Sequence, residues 1–257
     1  MQLTGLLRTI GHTARERFSD FATRPLVAAL RFVCRNQIPV LTREELLQSR
    51  ITLSQFGEDV ILAFLAKSGG IKHGVYVDVG AFDPISGSNT LLLYKAGWRG
   101  VNIDLQPERI ARFNRLRPTD ENVCAAIYDR KGNSKVAFYS DPGTTRLILN
   151  SENHERSVSG EPPRRIETIR TLTLTEALDQ TRLRSSRIDY LNIDCEGHDL
   201  AVLQSLDFVR YEPSIISVEA ISAEAEERIT QFLKGLSYSR FLRQGLTVFY
   251  LREGFLG

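Results

Sequence analysis

The chain has 257 residues, 42% of them hydrophobic and 25% charged, which suits one α/β domain with a full buried core and a small appendage. Lysine and arginine number 33 against 31 acids, and a formal charge of +2 gives no global attraction to a polyanion, so nucleic acid is not an expected partner. Cys34, Cys124 and Cys195 are odd in number, far apart and free of any CxxC spacing, which argues against a disulfide framework or a zinc site and fits a reducing cytosol.

Residues 1–35 carry Arg8, Arg15, Arg17, Arg24, Arg31 and Arg35 against Glu16 and Asp20, among leucines and phenylalanines. A basic amphipathic stretch of this kind packs on the core or on a partner subunit, which leaves a homo-oligomer open, or it lies on an anionic membrane surface. No run approaches the ~18–20 apolar residues that span a bilayer, and no short apolar core with a small-residue cleavage site opens the chain. The expected location is the cytoplasm, with peripheral contact at the inner face of the membrane through residues 1–35 as the alternative. Residues 1–50 are read as a helical extension and 51–257 as the main domain.

In SQFGEDVILAFLAKS, residues 54–68, the pairs Phe56, Val60, Phe64 and Ile61, Leu65 share a helical face. GVYVDVG (74–80) is a β-branched run ending at a glycine, followed by a polar turn and a helix from Asn89 to Ala96. RGVNIDL (99–105) is a second strand, and Pro107 sits in the first turn of a helix reaching Leu116. NVCAAI (122–127) reads as a third strand and KVAFYS (135–140) as an extended branch from it. Residues 141–165, with Pro142, Gly143, Gly160, Pro162 and Pro163, form a long polar loop of the lid or binding type. Then come a strand at 188–194, a helix at 197–206, a strand at 214–220 and a helix at 223–236 with an acidic start. Tyr238–Leu242 and Leu246–Leu251 are strands joined by a turn at Gln244–Gly245, so they run antiparallel. The fold class is α/β: a doubly wound, mainly parallel sheet covered on both faces and ending in an antiparallel hairpin.

Ligands of such sheets bind beyond the carboxyl ends of the strands. There this sequence places Asp78-Val79-Gly80-Ala81-Phe82-Asp83, then Asp104, then Asp194-Cys195-Glu196-Gly197-His198, then Glu219. Gly80 permits close approach of a ligand, and Asp104 follows Asp78 near the ~20-residue offset of a ribose-binding acid. Gly80 is followed by AFDPIS, without the further glycines of a pyrophosphate cradle, so an adenosine cofactor lacking phosphates fits better than a dinucleotide.

VDVGAFDP…SNT at 77–90, GW at 97–98, NIDLQP at 102–107 and IDCEGHDLAVL at 193–203, with SQFGED at 54–59 and RPTD at 117–120, resemble FkbM-type methyltransferases. The resemblance covers roughly residues 54–220. It implies the Rossmann-like fold of class I methyltransferases, S-adenosyl-L-methionine as cofactor and transfer of a methyl group to a hydroxyl. It also implies that Asp78, Gly80 and Ala81 surround the methionine part of the cofactor. Asp104 takes the ribose hydroxyls with Leu105 beside it, Ala125 and Ala126 lie near the adenine, and Asp194 and Glu196 face the methyl group. Asp83 and Asn89 join the cofactor set, although Phe82-Asp83-Pro84 stands where the family often carries a small residue. Ser88, Asn89 and Thr90 either cap the next helix or face the cofactor carboxylate.

Methyl transfer to a hydroxyl requires alignment and a base; Asp194, Glu196 and His198 are the candidates, His198 having the ordinary pKa nearest neutrality. A second mechanism has Asp194, Glu196 and Glu219 hold magnesium as a Lewis acid; otherwise Glu219 is a structural acid paired with an arginine such as Arg210. Two other functions compete. One is a nucleotide-sugar glycosyltransferase with Asp194 and Glu196 as its metal clamp, and the other is a binding module without catalysis. Arg146, Asn150, His154 and Arg156 in the 141–165 loop favour a small-molecule acceptor of sugar, glycan or glycolipid type, as in polysaccharide biosynthesis.

Overall fold

The computed structural model describes residues 42–139, 145–148 (backbone), 162–184 and 187–256. Cys34, the basic stretch 1–35, the side chain of Arg146, and Asn150, His154 and Arg156 lie outside what is described. The chain divides into two units, residues 1–51 and 52–257. In the first, α1 (Arg43–Gln48) opens on a reciprocal cap in which Thr42 N donates to Glu45 Oε2 at 2.6 Å and Glu45 N to Thr42 Oγ1 at 3.3 Å.

The second unit is built on seven strands: β1 (Val75–Val79), β2 (Arg99–Asp104), β3 (Glu121–Cys124), β8 (Tyr190–Ile193), β9 (Ile215–Glu219), β10 (Tyr238–Gln244) and β11 (Thr247–Arg252). Their spatial order is β3-β2-β1-β8-β9-β11-β10, all parallel except β11, which runs antiparallel to both neighbours. The doubly wound sheet with its closing hairpin is thus as expected. Alternation along each strand splits the core by face. Tyr76, Tyr190, Ile215 and Phe249 pack with Leu62 and Leu65 of α2 (Glu58–Ser68), while Val77, Val79, Ile103, Leu191 and Ile193 form the other cluster. That second face is covered by α5 (Leu174–Asp179), α6 (Asp199–Gln204) and α8 (Ala223–Lys234), with α7 (Phe208–Tyr211) supplying Tyr211. The remaining helices are α3 (Leu91–Lys95) and α4 (Pro107–Leu116).

The fold departs from the sequence expectations at three places. The stretch 122–127 divides at Ala125, whose N–H turns back to the Asp104 carbonyl (3.1 Å), so β3 stays in the large sheet and β4 (Ala126–Ile127) enters another. This second sheet, β4-β7-β5-β6, comprises β5 (Gly132–Phe138), β6 (Thr145–Ile148) and β7 (Arg165–Leu172) as well. Residues 145–148 and 165 are therefore strand rather than loop. β7 is polar and exposed along most of its length, so its pairing defines it, with β5 from Gly132↔Thr171 to Phe138↔Arg165 and with β4 at Ala126↔Thr171 and Ile127↔Leu172. Helix α2 begins at Glu58, not Ser54, because residues 52–57 wrap around Asp59, whose carboxylate accepts from Thr52 Oγ1 (2.7 Å), Leu53 N (2.7 Å) and Ser54 N (3.3 Å). Among the described residues no helix is long and apolar enough to cross a membrane.

Candidate active site

Strand order reverses between β1 and β8, and the register pairs Val79 with both Ile103 and Ile193. Gly80, Asp104 and Asp194 therefore leave three adjacent strands at one level, where a crevice is expected. A cavity of about 370 Å³ lies there. Asp78, Gly80, Ala81, Asn89, Asp104, Leu105, Ala125 and Ala126 line it, and so do Asp194, Glu196 and His198. Asp83 and Glu219 do not. Gln55, Phe82, Arg109 and Asn192 join the walls, although sequence reasoning gave none of them a role.

Gly80 sits at φ +77°, and a Cβ built on it would lie 1.8 Å from the backbone oxygen of Asp194. Only glycine fits both the conformation and the space. The N–H groups of Gly80 and Ala81 both donate to the Ile103 carbonyl, at 2.9 and 3.1 Å, tying the turn to β2. Asp104 gathers three segments at once: Oδ1 accepts from Gln106 N (2.8 Å), and Oδ2 from Phe82 N (3.1 Å) and Arg109 Nη1 (3.0 Å). The Arg109 guanidinium also lies 4.5 Å from the centre of the Phe82 ring. Asp83 instead caps its own turn, accepting from Ile85 N (2.8 Å) and Ser86 N (2.9 Å), and pairs with Arg112 at 2.8 Å.

Behind the cavity wall runs a buried polar network. Asp78 accepts from Asn192 Nδ2 (2.9 Å) and Thr90 Oγ1 (2.8 Å), while Asn89 Nδ2 donates to Asn192 Oδ1 (3.2 Å). Burial pushes the Asp78 carboxyl up, against those bonds and the Arg117 charge. Arg117, fully buried, donates to Pro84 O (2.7 Å), Ser88 Oγ (2.6 Å), Thr90 Oγ1 (2.7 Å) and Asn102 Oδ1 (3.4 Å). Asp120 accepts from Tyr76 OH, Gly100 N and Asn102 Nδ2. The RPTD stretch is therefore the underside of the loop that carries Ser88 and Asn89.

At the acidic edge, burial first and then the negative charges of Glu219, Asp199, Glu196 and Asp78 hold the Asp194 carboxyl well above the ordinary carboxylate range. Asp199, buried beneath it, accepts from Cys195 N (2.7 Å) and Gly197 N (3.0 Å); burial nonetheless pushes its carboxyl up to about 6. Phe82 (φ +53°) and Glu196 (φ +52°) both hold the left-handed backbone disfavoured for side-chain-bearing residues, and both line the cavity. The His198 ring meets Tyr128 edge to face at 6.0 Å between centroids. Burial, then the nearby acids, push the Cys195 thiol far up, so it packs rather than reacts. Arg210 pairs with Asp179 at 2.6 Å, not with Glu219. Among the described residues no group of three or more His, Cys, Asp or Glu side chains is arranged to hold a metal ion.

The sequence pattern of the methyltransferase FkbM domain matches residues 78–240. Among solved structures, the magnesium protoporphyrin IX methyltransferase ChlM from Synechocystis PCC 6803 with bound SAM is 14% identical over 76% of this chain and 78% of that one, with a TM-score of 0.41. A methyltransferase from Geobacter sulfurreducens is 16% identical over 91% and 96%, with a TM-score of 0.41. The O-methyltransferase from Bacillus cereus in complex with SAH is 12% identical over 88% and 97%, with a TM-score of 0.42. No protein of curated function matches the chain.

Proposed function

Because the chain belongs to the FkbM methyltransferase family and is an S-adenosylmethionine-dependent methyltransferase, we propose that it methylates a hydroxyl of a small molecule, a sugar or glycan, in the cytoplasm. Family membership sets aside the glycosyltransferase and the non-catalytic binding module. The observation that carries the reading is the single cavity whose walls combine the cofactor set around Gly80 and Asp104 with Asp194, Glu196 and His198. Its volume lies within the roughly 300–1,000 Å³ of small-molecule sites. Its chemistry fits an adenosyl cofactor with a cationic centre: Asp104 for ribose hydroxyls, Ala125 and Ala126 for a flat base, and acids on the remaining side. Gln55, Ser86 and Asn89 add hydrogen-bonding groups suited to a polyhydroxylated acceptor.

Bound S-adenosylmethionine supplies an activated methyl group. The chain aligns the acceptor hydroxyl and takes its proton as the oxygen–carbon bond forms. We assign the base to Glu196, a residue of the cavity wall held on a strained backbone; Asp194 and His198 line the same wall. Glu219 stands outside the cavity walls, so a magnesium ion in the cavity would lack the third carboxylate of the Asp194, Glu196 and Glu219 set. Residues 1–50 are read as an extension apart from this chemistry, and a chain beginning at Thr52 should keep its cofactor affinity. Flotation with anionic vesicles at low and high salt tests membrane attachment of residues 1–35.

The test is a panel of sugar acceptors with labelled cofactor, read by mass spectrometry, followed by Glu196→Gln, His198→Ala and Asp194→Asn. Loss of the base should lower kcat by ~10²–10⁴-fold with cofactor affinity retained. Near-normal turnover in all three variants would make this edge structural.

A further inference from the structure

Glu196 is held at φ +52° and Gly197 follows at φ +93°. A side chain with a Cβ enters the left-handed region at a cost, and glutamate lacks the short polar side chain with which asparagine or aspartate bonds its own backbone there. The N–H groups of the residues before and after Glu196 both donate to one carboxyl group, Cys195 N to Asp199 Oδ1 at 2.7 Å and Gly197 N to Asp199 Oδ2 at 3.0 Å. Asp199 is 3% exposed and opens α6, whose Val202 and Leu203 are fully buried. Its carboxyl group is thus anchored from the core. A capping acid bonds amides of the first helical turn, whereas these two amides precede the helix and bracket Glu196.

We propose that Asp199 is a positioning residue whose carboxylate clamps the 194–195 and 196–197 peptide groups, fixing the chain on both sides of the Cys195–Glu196 pair, and so keeps Glu196 in the left-handed conformation that sets it in the cavity wall. The clamp deepens the reading in which Glu196 is the base; its catalytic consequence rests on that reading, its geometry does not. Cutting the clamp frees the backbone of residue 196 to relax, and the carboxylate meant to meet the acceptor hydroxyl loses its place. Cofactor contacts on the β1 and β2 side are untouched by the change.

A thermal-unfolding cycle on the full chain tests the geometry, using wild type, Glu196→Gly, Asp199→Ala and the double variant. Glycine accepts positive φ freely. Glu196→Gly should therefore shift the unfolding midpoint upward by roughly 2–6 °C more when Asp199 is present than when it is absent. Equal shifts in both backgrounds overturn the clamp. If Asp199→Ala does not fold, Asp199→Asn, which keeps one acceptor oxygen, takes its place in the cycle. The catalytic arm uses the sugar acceptor methylated best in the panel, with S-adenosylhomocysteine as the binding probe. Asp199→Asn should lower kcat ~10-fold or more, with affinity for the probe unchanged, and adding it to Glu196→Gln should cause no further loss. Additive losses in kcat overturn the positioning role. Full turnover in Glu196→Gln alone strikes down Glu196 as base, and the thermal cycle then decides the clamp by itself.

Discussion

The backbone carbonyl of Asp194 occupies the space that a side chain on Gly80 would need, so the ends of β1 and β8 approach each other only because residue 80 has no Cβ. Gly80→Ala combines a strained φ of +77° with a clash against main chain that has no flexible end to yield. It should force the strand ends apart and reduce affinity for S-adenosylhomocysteine by ~10-fold or more, as one to three kcal/mol of backbone strain implies. Calorimetry reads this directly, and unchanged affinity would mean that the Gly80 turn does not shape the cofactor site.

Asp104 and Asp83 both accept from backbone N–H groups of the turn after β1, yet they make opposite forecasts. Asp104→Ala removes a cavity acid that also tethers Phe82 N, Gln106 N and Arg109. Its cofactor affinity should fall by ~10- to 150-fold, the equivalent of about 1.5–3 kcal/mol for a lost charged hydrogen bond. Asp83→Ala, which loses a local cap and a surface pair with Arg112, should bind nearly as wild type does.

Arg117 places a buried positive charge between Asp78 and Asp120. Arg117→Met keeps much of the volume but leaves both acids without that compensation. Breaking a buried charge network of this kind costs about 3–5 kcal/mol. Urea unfolding should show the loss as a lower midpoint with an unchanged slope; a shift under about 1 kcal/mol would mean the guanidinium is not central to the network.

Asp199 binds its proton more tightly in the folded chain, with a pKa of about 6, than at its ordinary value of 3.8. Its contribution to stability is therefore complete below about pH 4 and is lost as the pH rises to about 6. Over that window the wild type should lose on the order of 1 kcal/mol per pH unit through this group, and Asp199→Asn should show a shallower slope. Asp78 and Asp120 shift in the same direction in both proteins, so the difference between the two curves reports Asp199 together with the part of the Asp194 shift that the Asp199 charge causes.

Much of this architecture was legible in local patterns. The runs at 75–79, 99–104, 190–193 and 215–219 are buried on both faces and announce themselves as parallel strands, and the residues at the ends of the first three name cavity walls. Gly80, Asp104 and Glu196 were found this way because a parallel sheet delivers every strand's carboxyl end to one edge, whereas Ala125 came only from the family resemblance. The second sheet escaped because β7 is polar and exposed, with no periodicity to mark it, and is defined by its pairing with β5 and β4. Asn192 escaped because it sits inside an apolar strand and acts through Asp78, and Arg117 because its four acceptors come from positions up to 33 residues earlier.

The succession of strands along the chain, the crevice at their carboxyl ends and the acids at its edge were determined by the sequence itself, since burial writes apolar patterns a few residues long. Which of those acids reach the cavity was decided by tertiary structure alone. Asp83 and Glu219 carry the same charge as Asp104 and Glu196, yet one closes its own turn and the other ends its strand beyond the cavity wall. The difference lies in backbone direction at single residues. The left-handed turns at Phe82 and Glu196 aim the chain where no propensity would send it, and long-range hydrogen bonds from Asp104 and a buried carboxylate at Asp199 hold them there.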